Sequence, residues 1–325
     1  MINYSIIIPH YDIPQLLIRC IRSIPEREDV EIIVIDDNSP DGDKYQKMYP
    51  DLKRQGLTYI HLEKNVGGGG ARNIGLQHAK GKWLIFVDAD DFFNYCFNDV
   101  LNQYKDSSAD IVFFNANSID TNTYENTGRA VPVNQEIRFF IESKSEEAEY
   151  VLRYEFGVPW CKMIKRELVS KHKIQFEETP IHNDTQFSYL IGFYAKTIEA
   201  DTRAAYCVTD RSGSVSRDLA PDKYLTRLMV FAKKYAFFNK EGIRFNEWRY
   251  IRSSLDYFQM NKLDKYLSKS KMILSDYGID MQDQLDTIER DKKLNKRRVI
   301  KMKIIDRMNI ELKRLLRFEG NYGQI

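Results

Sequence analysis

Asp88-Ala89-Asp90-Asp91 places three carboxylates within four residues. Such a cluster repels itself unless cations neutralise it. Mg²⁺ and Mn²⁺ take hard oxygen ligands, commonly one or two carboxylates completed by substrate phosphates. At the end of a strand, residues i and i+2 point to one side of the backbone, so two of these acids can act together. The bland alternative is a solvated acidic turn, or a helix cap ahead of Phe92-Phe93. The setting favours the chemical reading, because the cluster directly follows an apolar run, Trp83 to Val87, and other acids end comparable runs.

Asp36-Asp37 closes one such run. A carboxylate there can accept a hydrogen bond from a nucleobase N–H, although Asp-Asp-Asn-Ser-Pro-Asp-Gly is also rich in turn formers. Asn65-Val66-Gly67-Gly68-Gly69-Gly70-Ala71-Arg72-Asn73 reads as a glycine loop opening a helix, which could bring backbone N–H groups to a phosphate. It matches neither dinucleotide nor Walker spacing. Arg72 could pair with a diphosphate, with the strand-end acids, or in a purely structural ion pair. His182-Asn183-Asp184 opens an apolar helical stretch, so Asp184 is either a cap or a chemical group. Trp160 and Lys162 read as ordinary packing and a surface lysine. None of the five histidines has a partner at metal-ligand spacing.

Buried strands must position these groups. Ser5-Ile6-Ile7-Ile8 is a continuous β-branched run, ended by Pro9 in this reading, and Val30 to Ile35 is another. Leu57 to Leu62, Trp83 to Val87 and Asp110 to Asn115 complete five predicted strands. Helical spacing appears over about Pro14 to Ile24 and Ala71 to Ala79, and Asp41 is expected to cap a helix running into the 50s. Alternating strands and helices predict a mostly parallel, open α/β sheet flanked by helices. Ligands of such sheets sit outside the carboxyl ends of the strands. His10-Tyr11-Asp12, Asp36-Asp37, the glycine segment and Asp88 to Asp91 all fall there. Residues 116–150 read as a loop and a helix over the sheet. The predicted division is a catalytic domain over 1–215 and a helical extension over 216–325.

The 325 residues carry a formal net charge of +2, which gives no reason to expect a nucleic-acid partner. The four scattered cysteines fit a reducing cytoplasm. No signal peptide and no run of 18 apolar residues is visible, so any membrane contact is expected to be peripheral. Residues 292–317 hold eleven Lys or Arg against two acids, with apolar residues at helical spacing. Such a helix can lie on an anionic membrane, each surface cation contributing about 1 kcal/mol. It can equally pack on its own domain or on a second subunit.

Taken together, the segments Ser5 to Asp12, Glu31 to Ser39, Asn65 with Gly67 and Ala71-Arg72-Asn73-Ile74-Gly75, Phe86 to Asp91, Trp160-Cys161-Lys162 and Asn183-Asp184 resemble the family 2 glycosyltransferases of bacteria, in order and in spacing. The chain departs from that pattern at Asp12, where the family usually has Asn, and at Asn183, where it usually has Glu. The resemblance implies the glycosyltransferase A fold, a Rossmann-like sheet, and an inverting reaction. It implies that Asp37 binds the base of a nucleotide-sugar, with Pro9 and Tyr11 shaping that pocket, and that Asp88 meets the ribose or the metal shell. It implies Asp90 and Asp91 as ligands of Mn²⁺ or Mg²⁺, Arg72 beside the donor, and Asp184 as general base on an acceptor hydroxyl. The implied donor is a uridine diphosphate sugar. The implied acceptor is a glycan or lipid-linked glycan of a bacterial surface polysaccharide, met at the inner face of the plasma membrane. Two rivals remain: a sugar-1-phosphate nucleotidyltransferase, and a non-catalytic glycan-binding scaffold.

Overall fold

The computed structural model describes residues 1–211, 220–294 and 296. Strands β1 (Tyr4–His10), β2 (Val30–Asp36), β3 (Leu57–His61) and β4 (Trp83–Phe86) pair in parallel in the order β3-β2-β1-β4. Their composition explains this arrangement. Ile6 to Ile8, Ile32 to Ile35 and Trp83 to Phe86 are all buried, as unbroken apolar runs must be when helices cover both faces. Burying each such side chain stabilises the fold by about 1.5–3 kcal/mol. The helix Pro14–Ser23 turns Leu17, Ile18, Cys20 and Ile21 inward and begins on proline, whose fixed φ suits a first turn.

Pro9 lies inside β1 and does not end it. The Ile7 carbonyl accepts from Val87 and the His10 carbonyl from Asp37, so residues 7 and 9 face β4 and residues 8 and 10 face β2. Pairing with β4 stops at Ile7, so the N–H missing at Pro9 removes no ladder bond.

Four further strands complete one eight-stranded sheet: β5 (Phe92–Phe93), β6 (Ile111–Asp120), β7 (Lys162–Lys165) and β8 (Ile198–Asp210). The order is β3-β2-β1-β4-β7-β6-β8-β5, and the sheet is mixed: β7 runs against β4 and β6, and β5 against β8. β6 runs five residues past the predicted Asn115, to Asp120, and the helix Val131–Ser143 follows it. β6 and β8 are parallel, with register shifts on either side of Asn115. Such bulges bend a strand and re-aim its side chains. Here they bring Tyr206 and Thr209 to the loop that follows β4. The segment after Asp41 is a short helix, Gly42–Met48, then a single turn, Pro50–Lys53, and Asp41 makes no cap hydrogen bond. Its carboxylate pairs instead with Lys44.

The first compact unit runs from Met1 to Thr226, eleven residues beyond the predicted division at 215. The second begins at Arg227 and is mostly helical where described, with the end of Pro221–Lys240, then Trp248–Met260, Asp264–Asp276 and a helix over 281–294. Inside it Lys234 and Glu247 form a buried ion pair flanked by the rings of Phe231 and Phe238. Most of the basic segment 292–317 lies outside the described residues. Among those described, no helix is long and apolar enough to cross a membrane.

Candidate active site

The acidic loop leaves the end of β4 and is gripped from β8. Asp91 is buried, and both of its oxygens are engaged. Tyr206 donates its hydroxyl proton to Oδ2 at 2.7 Å, and the Thr209 N–H donates to Oδ1 at 2.7 Å. Burial, together with the neighbouring charges of Asp88 and Asp90, holds the Asp91 carboxyl well above the usual carboxylate range. The same Tyr206 oxygen accepts the Asp88 N–H at 3.2 Å, and the Thr209 hydroxyl donates to the Asp90 carbonyl at 2.6 Å. Arg19 also donates to that carbonyl. Asp88 and Asp90 face outward, their side chains 33% and 23% exposed, and each meets an arginine: Arg72 at 2.6 Å and Arg211 at 2.8 Å. Asp90 and Asp91, expected as a metal-ligand pair, point to opposite sides of the loop. Asp91 is turned inward to fasten the loop, and the two outward carboxylates are Asp88 and Asp90, at i and i+2.

The glycine segment is also different from its reading as a loop. The helix begins at Gly67 itself and runs to His78. Its first amides are satisfied from another strand: Asp37 accepts from the Val66 N–H at 2.6 Å and the Gly67 N–H at 2.9 Å. A carboxylate at a helix start is favoured by the exposed N–H groups and the dipole. Burial raises the Asp37 carboxyl above its ordinary value, against the pull of these two bonds. Gly69 is required for close approach, since a Cβ there would stand 1.9 Å from the Glu177 carbonyl oxygen. What Gly69 admits is the backbone at Glu177.

Two residues of this helix hold that segment. Arg72 donates to Asp88 at 2.6 Å and to the Asn183 side-chain oxygen at 3.0 Å, and its guanidinium lies 5.5 Å from the Phe176 ring centre. Asn73 bonds both backbone groups of Phe176, donating to its carbonyl at 2.9 Å and accepting its N–H at 2.8 Å. Asp184 stands at the cap position of the helix Thr185–Tyr194, but its side chain makes no cap hydrogen bond. Burial raises the Asp184 carboxyl, and the nearby Arg72 charge opposes the rise. Asn183, where the resembling family usually has Glu, thus offers Arg72 a neutral acceptor. One connected set of contacts joins Asp37, the helix start, Arg72, Asp88 and the Asn183-Asp184 turn.

Pro9 is partly buried in β1, and Tyr11 is 52% exposed beside it. Beneath them His10 and His61 both point Nδ1 at Asp36, at 2.7 and 3.0 Å. The Ile13 N–H donates to His10 Nε2, which assigns the proton of that ring to Nδ1. Burial would raise the Asp36 carboxyl, but the bonds from His10, Ser39 and His61 prevail and hold it well below the usual range. Trp160 stacks on Tyr206 with centroids 5.3 Å apart. Lys162 is not the surface lysine expected. It is 1% exposed, and its Nζ donates to the Phe156 carbonyl at 2.8 Å.

Sequence reasoning missed Arg19, Asn73, Tyr206, Thr209 and Arg211. Asn73 alone carried a signal, as part of the Ala-Arg-Asn segment. The β8 residues carried none, because a bulge sets their register.

The model of the family described as Glycosyl transferase family 2 matches residues 5–173. Asp184 and the β8 residues lie beyond that span and rest on the geometry above. The chain is 25% identical over 280 residues to Glycosyltransferase GlyG of Streptococcus pneumoniae, covering 81% of this chain and 92% of that protein. It is 28% identical over 187 residues to the poly(ribitol-phosphate) beta-N-acetylglucosaminyltransferase TarP of Staphylococcus aureus, covering 54% and 53%. The crystal structure of S. aureus TarS 1–349 in complex with UDP-GlcNAc shares the fold, with a TM-score of 0.56 at 21% identity over 79% of this chain and 72% of that one. A family match across more than half of the residues, on a sheet of the same fold, shows that this chain belongs to glycosyl transferase family 2 and is a glycosyltransferase.

Proposed function

We propose that the chain transfers a sugar, with inversion, from a nucleoside-diphosphate donor to a hydroxyl of a glycan or lipid-linked acceptor in bacterial surface polysaccharide synthesis. The observation that supports this reading is the Arg72 bridge, whose guanidinium bonds Asp88 after β4 and Asn183, the neighbour of Asp184. Asp184 is the general base. Burial raises its carboxyl, which makes its carboxylate a better proton acceptor than an ordinary aspartate, and the Arg72 charge near it favours that ionised form. It removes the proton from the acceptor hydroxyl, whose oxygen attacks the anomeric carbon opposite the leaving nucleotide. Asp37, with Pro9 and Tyr11, receives the base of the nucleotide, and Arg72 and Arg211, which pair with Asp88 and Asp90, meet its diphosphate. UDP-GlcNAc, the molecule bound in the TarS crystal, is the first donor to test.

The outward pair Asp88 and Asp90 suits Mg²⁺ or Mn²⁺. Among the described residues no set of three or more His, Cys, Asp or Glu converges, so phosphate oxygens would complete such a shell. A metal held by Asp88 and Asp90 would supply positive charge against the leaving diphosphate. The eleven cations of 292–317 support contact with anionic lipid at the inner membrane face. Deleting 292–325 is expected to abolish flotation with phosphatidylglycerol vesicles, and unchanged flotation removes this part of the reading.

The test is nucleotide release from a panel of UDP-sugars with Mn²⁺, for the wild type and for Asp184→Asn. General-base help is worth about 10²–10⁴-fold, so the variant is expected to lose at least that order of turnover while still binding UDP. Turnover within a few-fold of wild type refutes the assignment. Absence of metal-dependent binding to any donor, by calorimetry, favours a scaffold.

A further inference from the structure

Asp184 can act as base only if the segment that carries it is held at a fixed place. Phe176 begins that segment. Its ring is buried and stacks on Phe187 at 4.0 Å, with Phe86 edge-on at 5.0 Å. The Glu177 N–H donates to the Asn183 carbonyl at 3.0 Å, which closes residues 177–183 into a loop whose two ends lie together. His182 just before the turn has φ +55°, a left-handed conformation that costs a non-glycine residue energy and persists only when its surroundings enforce it. The loop is pressed against the start of the Gly67–His78 helix, where Gly69 leaves no room for a side chain. Packing of this kind is not directional, so by itself it opposes a slide of the loop along the helix less than hydrogen bonds do. The paired bonds from Asn73 to the N–H and C=O of Phe176 oppose that motion, since they specify which residue of the segment sits against the helix and not merely the distance. Arg72, one residue earlier on the same helix, holds the other end at Asn183.

We propose that Asn73 is a positioning residue of the transfer reaction: by clamping both backbone groups of Phe176 it sets where the 177–183 loop, and with it Asp184, sits relative to Arg72 and Asp88. This rests on the reading of Asp184 as the base. Asn73 spends both polar atoms of its side chain on Phe176, so its role is exerted through the loop and not by touching donor or acceptor. Asparagine is the side chain that fits, because it combines a donor and an acceptor at this length. Aspartate has no N–H for the Phe176 carbonyl, and glutamine carries the same groups one carbon too far.

The experiment compares Asn73→Ala, Asp184→Asn and the double variant, as full chains. It measures UDP release from UDP-GlcNAc, UDP-glucose and UDP-galactose, the Kd for UDP with Mn²⁺ by calorimetry, and hydrogen exchange of the peptide over 174–186. Misplacing a reacting group by about 1 Å costs on the order of 10²-fold in rate. Asn73→Ala is therefore expected to lower kcat by about that factor, to leave the UDP Kd within twofold, and to speed exchange at the Glu177 amide. The double variant is expected to turn over no more slowly than Asp184→Asn alone, because a clamp has nothing to position once the base is gone. The proposal is overturned if kcat of Asn73→Ala stays within threefold of wild type, if UDP affinity falls along with kcat, if loop exchange is unchanged, or if the two effects multiply. An active Asp184→Asn enzyme instead sinks the base assignment itself. The clamp fails separately when Asp184→Asn is inactive and Asn73→Ala is normal. If Asn73→Ala does not yield folded protein, Asn73→Asp, which keeps the acceptor for the Phe176 N–H, is read by the same criteria.

Discussion

Removing one oxygen atom, in Tyr206→Phe, tests the inward reading of Asp91. The hydroxyl makes two contacts: it donates to Asp91 Oδ2 at 2.7 Å and accepts the Asp88 N–H at 3.2 Å. Phenylalanine keeps the ring and its stacking on Trp160, so the packing term is nearly unchanged. A hydrogen bond to a charged group contributes about 1.5–3 kcal/mol, and one between neutral groups about 0.5–1.5 kcal/mol. The cost thus depends on whether Asp91 is ionised. Its folded carboxyl is held well above the usual range, first by burial and then by Asp88 and Asp90. Stability from such a group is fully present below the unfolded carboxyl pKa and is lost as pH rises through the folded one. Tyr206→Phe removes a bond that favours the ionised form, so it raises the folded pKa further and the loss grows with pH. Urea unfolding of metal-free protein is expected to give a destabilisation of about 1 kcal/mol at acidic pH, rising to about 2–3 kcal/mol on the alkaline side. An equal effect at both ends would refute the raised carboxyl of a buried Asp91. So would a crystal structure with Asp91 turned outward to a metal.

Arg72→Met removes the charge that opposes the rise at Asp184, so the acid limb of kcat/KM is expected to move to higher pH, and an unmoved limb excludes the coupling. Gly69→Ala would push a methyl to 1.9 Å from a carbonyl oxygen, which forces backbone movement costing about 1–3 kcal/mol in thermal unfolding, with a fall in kcat. Unchanged melting would show that the loop yields freely. Asp37→Ala leaves the Val66 amide without its acceptor and the Gly67 amide with Asn65 Oδ1 alone, and is expected to cost about 1–2 kcal/mol, in addition to weakening UDP binding. Weak UDP binding at full stability would separate the two roles.

Much of this protein was legible before folding. The runs Ile6 to Ile8, Val30 to Ile35 and Trp83 to Val87 are too apolar to face water on either side, so strands buried between helices were the available solution, and their carboxyl ends had to carry the polar groups. Local chemistry also marks where those strands stop, which is why Asp37 and Asp88 could be placed at strand ends from the sequence. The direction of each carboxylate was not legible. Asp90 and Asp91 are neighbours in the chain, yet one meets Arg211 outside and the other Tyr206 and Thr209 inside. That choice depends on residues about 115–121 positions away, brought close by a bulge in β8 that has no periodic signature. The glycines were misread for the same reason. Four in a row look like flexible chain, but the Glu177 carbonyl packed against Gly69 and the Asp37 carboxylate at the first amides make them the first turn of a helix. Lys162 likewise looked like surface, since nothing nearby in the chain announces the carbonyl and aromatic rings that receive it. Burial of apolar runs is a property of a segment and can be read from it. The partner of a polar group is a property of the assembled sheet, and only the tertiary structure decides it.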